Sequence, residues 1–167
     1  NGSPGGMGVM LCGSVWECPS CSAVRKTKRA KEIQRFAKGW EDAHGANTGY
    51  LLTLTLRHEG WNDESGARRY HPLSLTGPAI LDCKRRLFQG RAWKDFREVF
   101  GLEYISGWET THGKRHGWHP HTHLYVVAAR ELTPREVAMV KEYVCDRWMD
   151  IVSEHLGSTF CPTLRGL

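Results

Sequence analysis

Three histidines spaced two apart, His119, His121 and His123, lie in the stretch Trp118-His119-Pro120-His121-Thr122-His123-Leu124-Tyr125-Val126-Val127. Side chains alternate across a strand, so the three imidazoles share one face while Pro120, Thr122 and Leu124 take the other. Two imidazoles at this spacing can hold one metal ion. The stretch runs on into apolar residues up to Ala129, which marks a core strand, where imidazoles without partners cost free energy. A third ligand is expected from a neighbouring strand. Glu109, across a predicted hairpin, is preferred to the turn residues His112 and His116. Imidazole and carboxylate donors with open positions suit a divalent ion such as Mn²⁺, Mg²⁺ or Zn²⁺, and ligand type alone does not choose among them.

The plain alternative is a hydrated, histidine-rich strand end. A cupin-type oxygenase also uses His-x-His, but with a further histidine on a later strand, which residues 128–145 do not supply. A second cluster, Cys12, Cys18 and Cys21, has metal-site spacing, and its three thiolates suit a structural Zn²⁺ once a fourth ligand is found. Candidates are residues upstream, His44 and Cys161. Basic residues form two groups: Arg25, Lys26, Lys28, Arg29, Lys31, Arg35 and Lys38, then Lys84, Arg85, Arg86, Arg91 and Lys94. Of these, Arg25, Lys28, Arg29, Lys84 and Arg85, together with Arg57, are the expected phosphate contacts, which position a nucleic acid without reading its sequence. Two solvated helix faces are the bland reading of the same charges.

The elements that must position these residues follow from periodicity. Ala23 to Ala43 reads as a helix with Ile33, Phe36, Ala37 and Trp40 on one side and a strongly basic other side. Tyr50 to Arg57 alternates leucine with threonine and reads as a half-buried strand, one face leucine and the other hydroxyl. Gly60 to Tyr70 reads as a surface loop. Leu75 to Phe100 resumes a helical pattern after Pro78, with Gly90 as a candidate break. Glu103 to Glu109 and His119 to Ala128 read as a hairpin across a turn at Thr111 to Gly117. Thr133-Pro134-Arg135-Glu136 opens a last helix, expected to end near His155. The economical packing is an α+β fold: a central antiparallel sheet with helices on one face, preceded by a cysteine-containing segment and a basic helix.

Composition agrees with one soluble domain. The 167 residues are 40% hydrophobic and 25% charged, which argues against wholesale disorder. A net charge of +5 suits a polyanionic partner. The seven tryptophans, where exposed beside basic residues, could stack unpaired bases. No apolar run is long enough for a bilayer span and no signal peptide is recognisable, so the expected location is the cytoplasm, with reduced thiols. Residues 1–10 read as a flexible leader, residues 11–45 as the cysteine segment and basic helix, and residues 46–167 as the core. Arg165-Gly166-Leu167 shows no natural finish, so the chain reads as a fragment.

The residues in hand resemble the plasmid rolling-circle replication initiators of the HUH endonuclease superfamily. Leu51-Leu52-Thr53-Leu54-Thr55-Leu56-Arg57-His58 is similar to that family's first motif, and Gly117-Trp118-His119-Pro120-His121-Thr122-His123 to its second. Cys12-Gly13-Ser14-Val15-Trp16-Glu17-Cys18-Pro19-Ser20-Cys21 is similar to the cysteine segment of actinobacterial-type plasmid initiators. The resemblance covers residues 11 to 155. It implies an HUH, RRM-like fold and a bacterial enzyme that nicks and rejoins one strand of origin DNA through a 5′-phosphotyrosine. It implies His121, His123 and Glu109 as metal ligands, and His119 as an auxiliary ligand or phosphate contact. Single-stranded origin DNA and host replication machinery are the implied partners. The family's third motif, Tyr-x-x-Lys, is absent. Tyr143 is a candidate within the chain, and the nucleophile is expected beyond Leu167. A conjugative relaxase or single-strand transposase shares the chemistry. A non-catalytic DNA-binding module of the same fold is the other class.

Overall fold

A computed structural model describes residues 18–57, 60–114 and 117–162. The leader, Cys12, Trp16, His58, His116 and the last five residues fall outside that set. Helix α1, Pro19–His44, begins one turn before the expected Ala23, with Cys18 as N-cap and a proline in the first turn, where its missing N–H costs no helix bond. Its seven lysines and arginines are exposed, whereas Ile33, Phe36, Ala37 and Trp40 are half-buried. The last turn anchors the helix. Trp40 Nε1 donates to the Ala128 carbonyl at 2.8 Å, and the His44 ring stacks on Trp40 with centroids 4.3 Å apart.

Strands β1 (Gly49–Thr55), β4 (Glu103–Gly113) and β5 (Gly117–Val127) form an antiparallel sheet in the order β1-β5-β4. The expected loop at residues 60–70 instead contains a short hairpin, β2 (Trp61–Asn62) with β3 (Arg68–Arg69). Asp63 organises its turn, accepting from the Ser65 and Ala67 amides at 3.0 Å, while Gly66 takes a φ of +80°. Helices α2 (Leu73–Gln89) and α3 (Arg91–Phe100) are divided at Gly90. Because α2 starts at Leu73, Pro78 lies inside it and does not open it.

Helix α4, Pro134–Leu156, starts where the sequence places it. Glu136 N donates to Thr133 Oγ1 at 3.3 Å, and Thr133 N donates to Glu136 Oε2 at 2.8 Å, a reciprocal capping box. Arg130 grips the same carboxylate at 2.6 and 2.9 Å and, with the cap, holds Glu136 down at about 2. The core lies between the sheet and helices α2, α3 and α4, built from Leu54, Leu124, Val126, Ile80, Leu87, Trp93 and Trp148 among others. Trp148 is 1% exposed and its Nε1 donates to the Thr55 carbonyl at 3.0 Å, tying α4 to the end of β1.

This packing accounts for two residues that look misplaced in a central strand. Pro120 lies one residue outside the β1 register, which ends at Thr55 opposite His121, so β5 has only β4 beside it there and the missing N–H costs no ladder bond on the β1 side. Thr122 is fully buried on the helix side, and its hydroxyl donates to the Gly107 carbonyl at 3.0 Å. A polar residue is tolerated there because it is satisfied.

Candidate metal centre

The register sets rows of residues across the sheet on the face away from the core. Thr55, His121 and Glu109 form one row, and Thr53, His123 and Gly107 the next. Glu109 therefore reaches both histidines: its Oε2 lies 3.2 Å from His121 Nε2 and 3.2 Å from His123 Nε2. One ligand atom from each residue lies within 4.8 Å of the other two, and this is the one such group among the described residues. Donors bound about 2.1 Å from one cation stand about 3.0 Å apart at octahedral angles and about 3.4 Å apart at tetrahedral ones. The 3.2 Å spacing lies between them.

The donor chemistry fits as well. Hydrogen bonding and charge from His121, followed by His123, hold the Glu109 carboxyl below its ordinary range, so it is a carboxylate at neutral pH. His121 Nδ1 lies 3.2 Å from the His119 carbonyl, which can only accept, so a proton on Nδ1 has its partner there and Nε2, facing Glu109, is the atom available to a metal. His123 Nδ1 lies 2.9 Å from Thr53 Oγ1. Side-chain exposure rises from 11% at His121 through 39% at His123 to 55% at Glu109, so the seat is walled on the His121 side and open beyond Glu109. Gly107, opposite His123, has open space where a Cβ would project.

His119 shares the face but is engaged elsewhere. Its Nε2 lies 2.7 Å from Thr55 Oγ1, and that hydroxyl in turn lies 3.2 Å from the Leu56 carbonyl. His112 is on the other face, its ring 4.7 Å from that of Trp118. Thr53 and Thr55 are the site residues that sequence reasoning missed. The Leu/Thr alternation of β1 was the available signal, since it displays a hydroxyl face, but nothing local told which strand that face would meet.

Of the expected phosphate contacts, Arg57 follows β1 at the His119 end of the sheet and is exposed. Arg25, Lys28 and Arg29 project from α1, with Arg29 3.2 Å from Glu32. Lys84 and Arg85 lie in the helix layer. Lys84 donates to Ser106 Oγ at 3.0 Å and Arg85 pairs with Asp82, so neither is near the trio. Tyr143 is in the helix layer too, stacked on Phe96 with centroids 4.5 Å apart, and burial raises its hydroxyl. The other tyrosines also turn away from the trio. The Tyr50 and Tyr70 hydroxyls bond Asn47 and Lys114 carbonyls, Tyr104 packs on Phe88, and the Tyr125 hydroxyl lies over Gly49.

Cys18 caps α1 and Cys21 is buried in its first turn. The helix corrects one expectation: His44 lies at its opposite end, over 30 Å away at about 1.5 Å per residue, and cannot complete a site with these cysteines. Cys161 Sγ is instead 3.6 Å from the Met149 carbonyl. No helix among the described residues is long and apolar enough to cross a membrane.

In sequence the chain is similar to "Protein rep" of Streptomyces lividans, with 32% identity over 144 residues, covering 72% of this chain and 30% of the relative. It is also similar to "Neomycin resistance protein" of Streptomyces cyanogenus, with 29% identity over 140 residues, 72% of this chain and 31% of the relative. The chain thus spans less than a third of the length of these curated relatives. No protein-family profile matches it, and no solved structure does.

Proposed function

We propose that this Rep-like chain is the metal-binding part of a plasmid rolling-circle replication initiator, which cuts and rejoins one DNA strand at an origin in the bacterial cytoplasm. The observation that carries the proposal is the Glu109, His121 and His123 seat, open on one side, in a chain related to a protein named rep. Glu109, His121 and His123 would hold a divalent cation, which would supply a Lewis acid for a non-bridging oxygen of the scissile phosphate. Glu109 contributes the negative charge that favours a cation, and the two Nε2 atoms would complete the set of donors on the side walled by His121. Gly107 leaves the flank of His123 clear for a backbone phosphate. Arg57 and the exposed basic side of α1 would hold the strand by phosphate contacts, which weaken steeply with salt.

The attacking hydroxyl would come from outside residues 1–167, since none of the five tyrosines brings its hydroxyl to the trio. That same placement favours, as a second reading, a module that binds origin DNA without cutting it. A longer protein containing this chain separates the two. With Mn²⁺ and a single-stranded origin oligonucleotide, the initiator forms a covalent 5′-phosphotyrosyl adduct that His121→Ala abolishes. Metal-dependent binding with no adduct supports the binding module. An adduct formed by residues 1–167 alone and lost in Tyr143→Phe would overturn the placement of the nucleophile.

A further inference from the structure

The role of β1 at the site is not explained by its supplying a ligand, because it supplies none. Its outward residues are threonines at 53 and 55, and both hydroxyls meet imidazoles of β5: Thr53 Oγ1 lies 2.9 Å from His123 Nδ1, and Thr55 Oγ1 lies 2.7 Å from His119 Nε2. We infer that Thr53 and Thr55 are positioning residues that decide which histidines serve the metal, Thr53 by presenting His123 through Nε2 and Thr55 by retaining His119 outside the coordination shell. The inference rests on the reading of Glu109, His121 and His123 as a metal seat.

The atoms support this assignment. An imidazole that ligates through one nitrogen keeps a proton on the other, and a partner for that proton fixes both tautomer and ring plane. His121 has its partner in the His119 carbonyl. His123 has no equivalent on its own strand and takes the Thr53 hydroxyl from the strand next to it. At Thr55 a third group takes part. The hydroxyl reaches the Leu56 carbonyl at 3.2 Å as well as His119 Nε2 at 2.7 Å, so that nitrogen is held by Thr55 at the far side of the row. A nitrogen engaged by Thr55 is turned from the seat, whereas Nε2 of His121 and of His123 faces Glu109. Two hydroxyls thus divide three similar histidines into a ligand pair and a bystander, and they do so because the register sets Thr53 opposite His123 and ends with Thr55 opposite His121, two residues short of His119.

The test is Mn²⁺ titration of the 167-residue protein by calorimetry or electron paramagnetic resonance, with circular dichroism confirming that each variant is folded. Thr53→Val should weaken Mn²⁺ binding by about 10- to 100-fold, the usual effect of removing an outer-shell partner, and Thr53→Ser should restore it to within about twofold. His119→Gln should leave the affinity within about twofold of the original. In the Zn²⁺-loaded protein, the Nδ1 proton of His123 should be slow to exchange by ¹H–¹⁵N NMR, and Thr53→Val should remove that protection. Tight binding by the original protein that Thr53→Val leaves unchanged overturns the role of Thr53. A loss of affinity in His119→Gln matching that of His121→Ala overturns the role of Thr55. If the original protein binds neither Mn²⁺ nor Zn²⁺, the metal seat itself is wrong and the inference falls with it.

Discussion

The two faces of the sheet obey opposite rules. On the helix side, Leu54, Leu124 and Val126 are closed over by Ile80, Leu87, Trp93 and Trp148, and even the polar Thr122 is fully enclosed. On the other side Leu51 is 75% exposed, Gly107 is bare, and the remaining positions near the seat are threonines, histidines and a glutamate. The closed face fixes the register, since a slip of one residue would turn Leu124 outward and His123 into the core. The open face uses that register. Its side chains stand at set heights because burial of the opposite face holds the strands in that register.

If the faces are separable in this way, changes on one should leave the other intact. The largest effect is expected from the closed face: Trp148→Ala should cost about 3–5 kcal/mol by opening a cavity, measured by urea unfolding, and should weaken metal binding only as far as it unfolds the chain. Glu109→Gln should do the reverse. Mn²⁺ affinity should fall by more than about 100-fold, beyond the loss of an outer-shell partner, with the melting temperature of the metal-free protein unchanged. Thr122→Val tests the boundary, as it keeps the shape but removes the buried hydroxyl that donates to the Gly107 carbonyl; a loss of about 1–1.5 kcal/mol is expected, and an unchanged unfolding midpoint would mean the hydroxyl is dispensable.

The smallest effects lie far from both faces. Thr133→Ala removes the α4 cap and should cost about 1 kcal/mol in thermal or urea unfolding. The same cap gives an acid signature. Glu136 is held at about 2 in the folded chain against an ordinary 4.5, so its contribution is fully present above pH 4.5 and is lost as the pH falls towards 2. The gap in melting temperature between the original protein and Glu136→Gln should therefore be widest near neutrality and close across that window. A constant gap would show that Arg130 and the cap do not act through the ionised carboxylate.

Much of this molecule is determined locally and could be read from the residues. Alternation in β5 puts His119, His121 and His123 on one face, and the Thr-Pro-x-Glu signature starts α4 because a cap needs only four consecutive residues. The Glu109 partnership was legible too, since a hairpin with a short turn leaves few registers. What lay beyond the sequence involves distant segments. Thr53 and His123 are 70 residues apart, and no local pattern says that β1 will pair with β5 in that register; burial of Leu52 and Leu54 alongside Leu124 and Val126 decides it. The same tertiary choice put Lys84, Arg85 and Tyr143 in the helix layer. Residue type and spacing determined which side chains could do chemistry, and packing across the sheet decided which nitrogen of which histidine is free to do it.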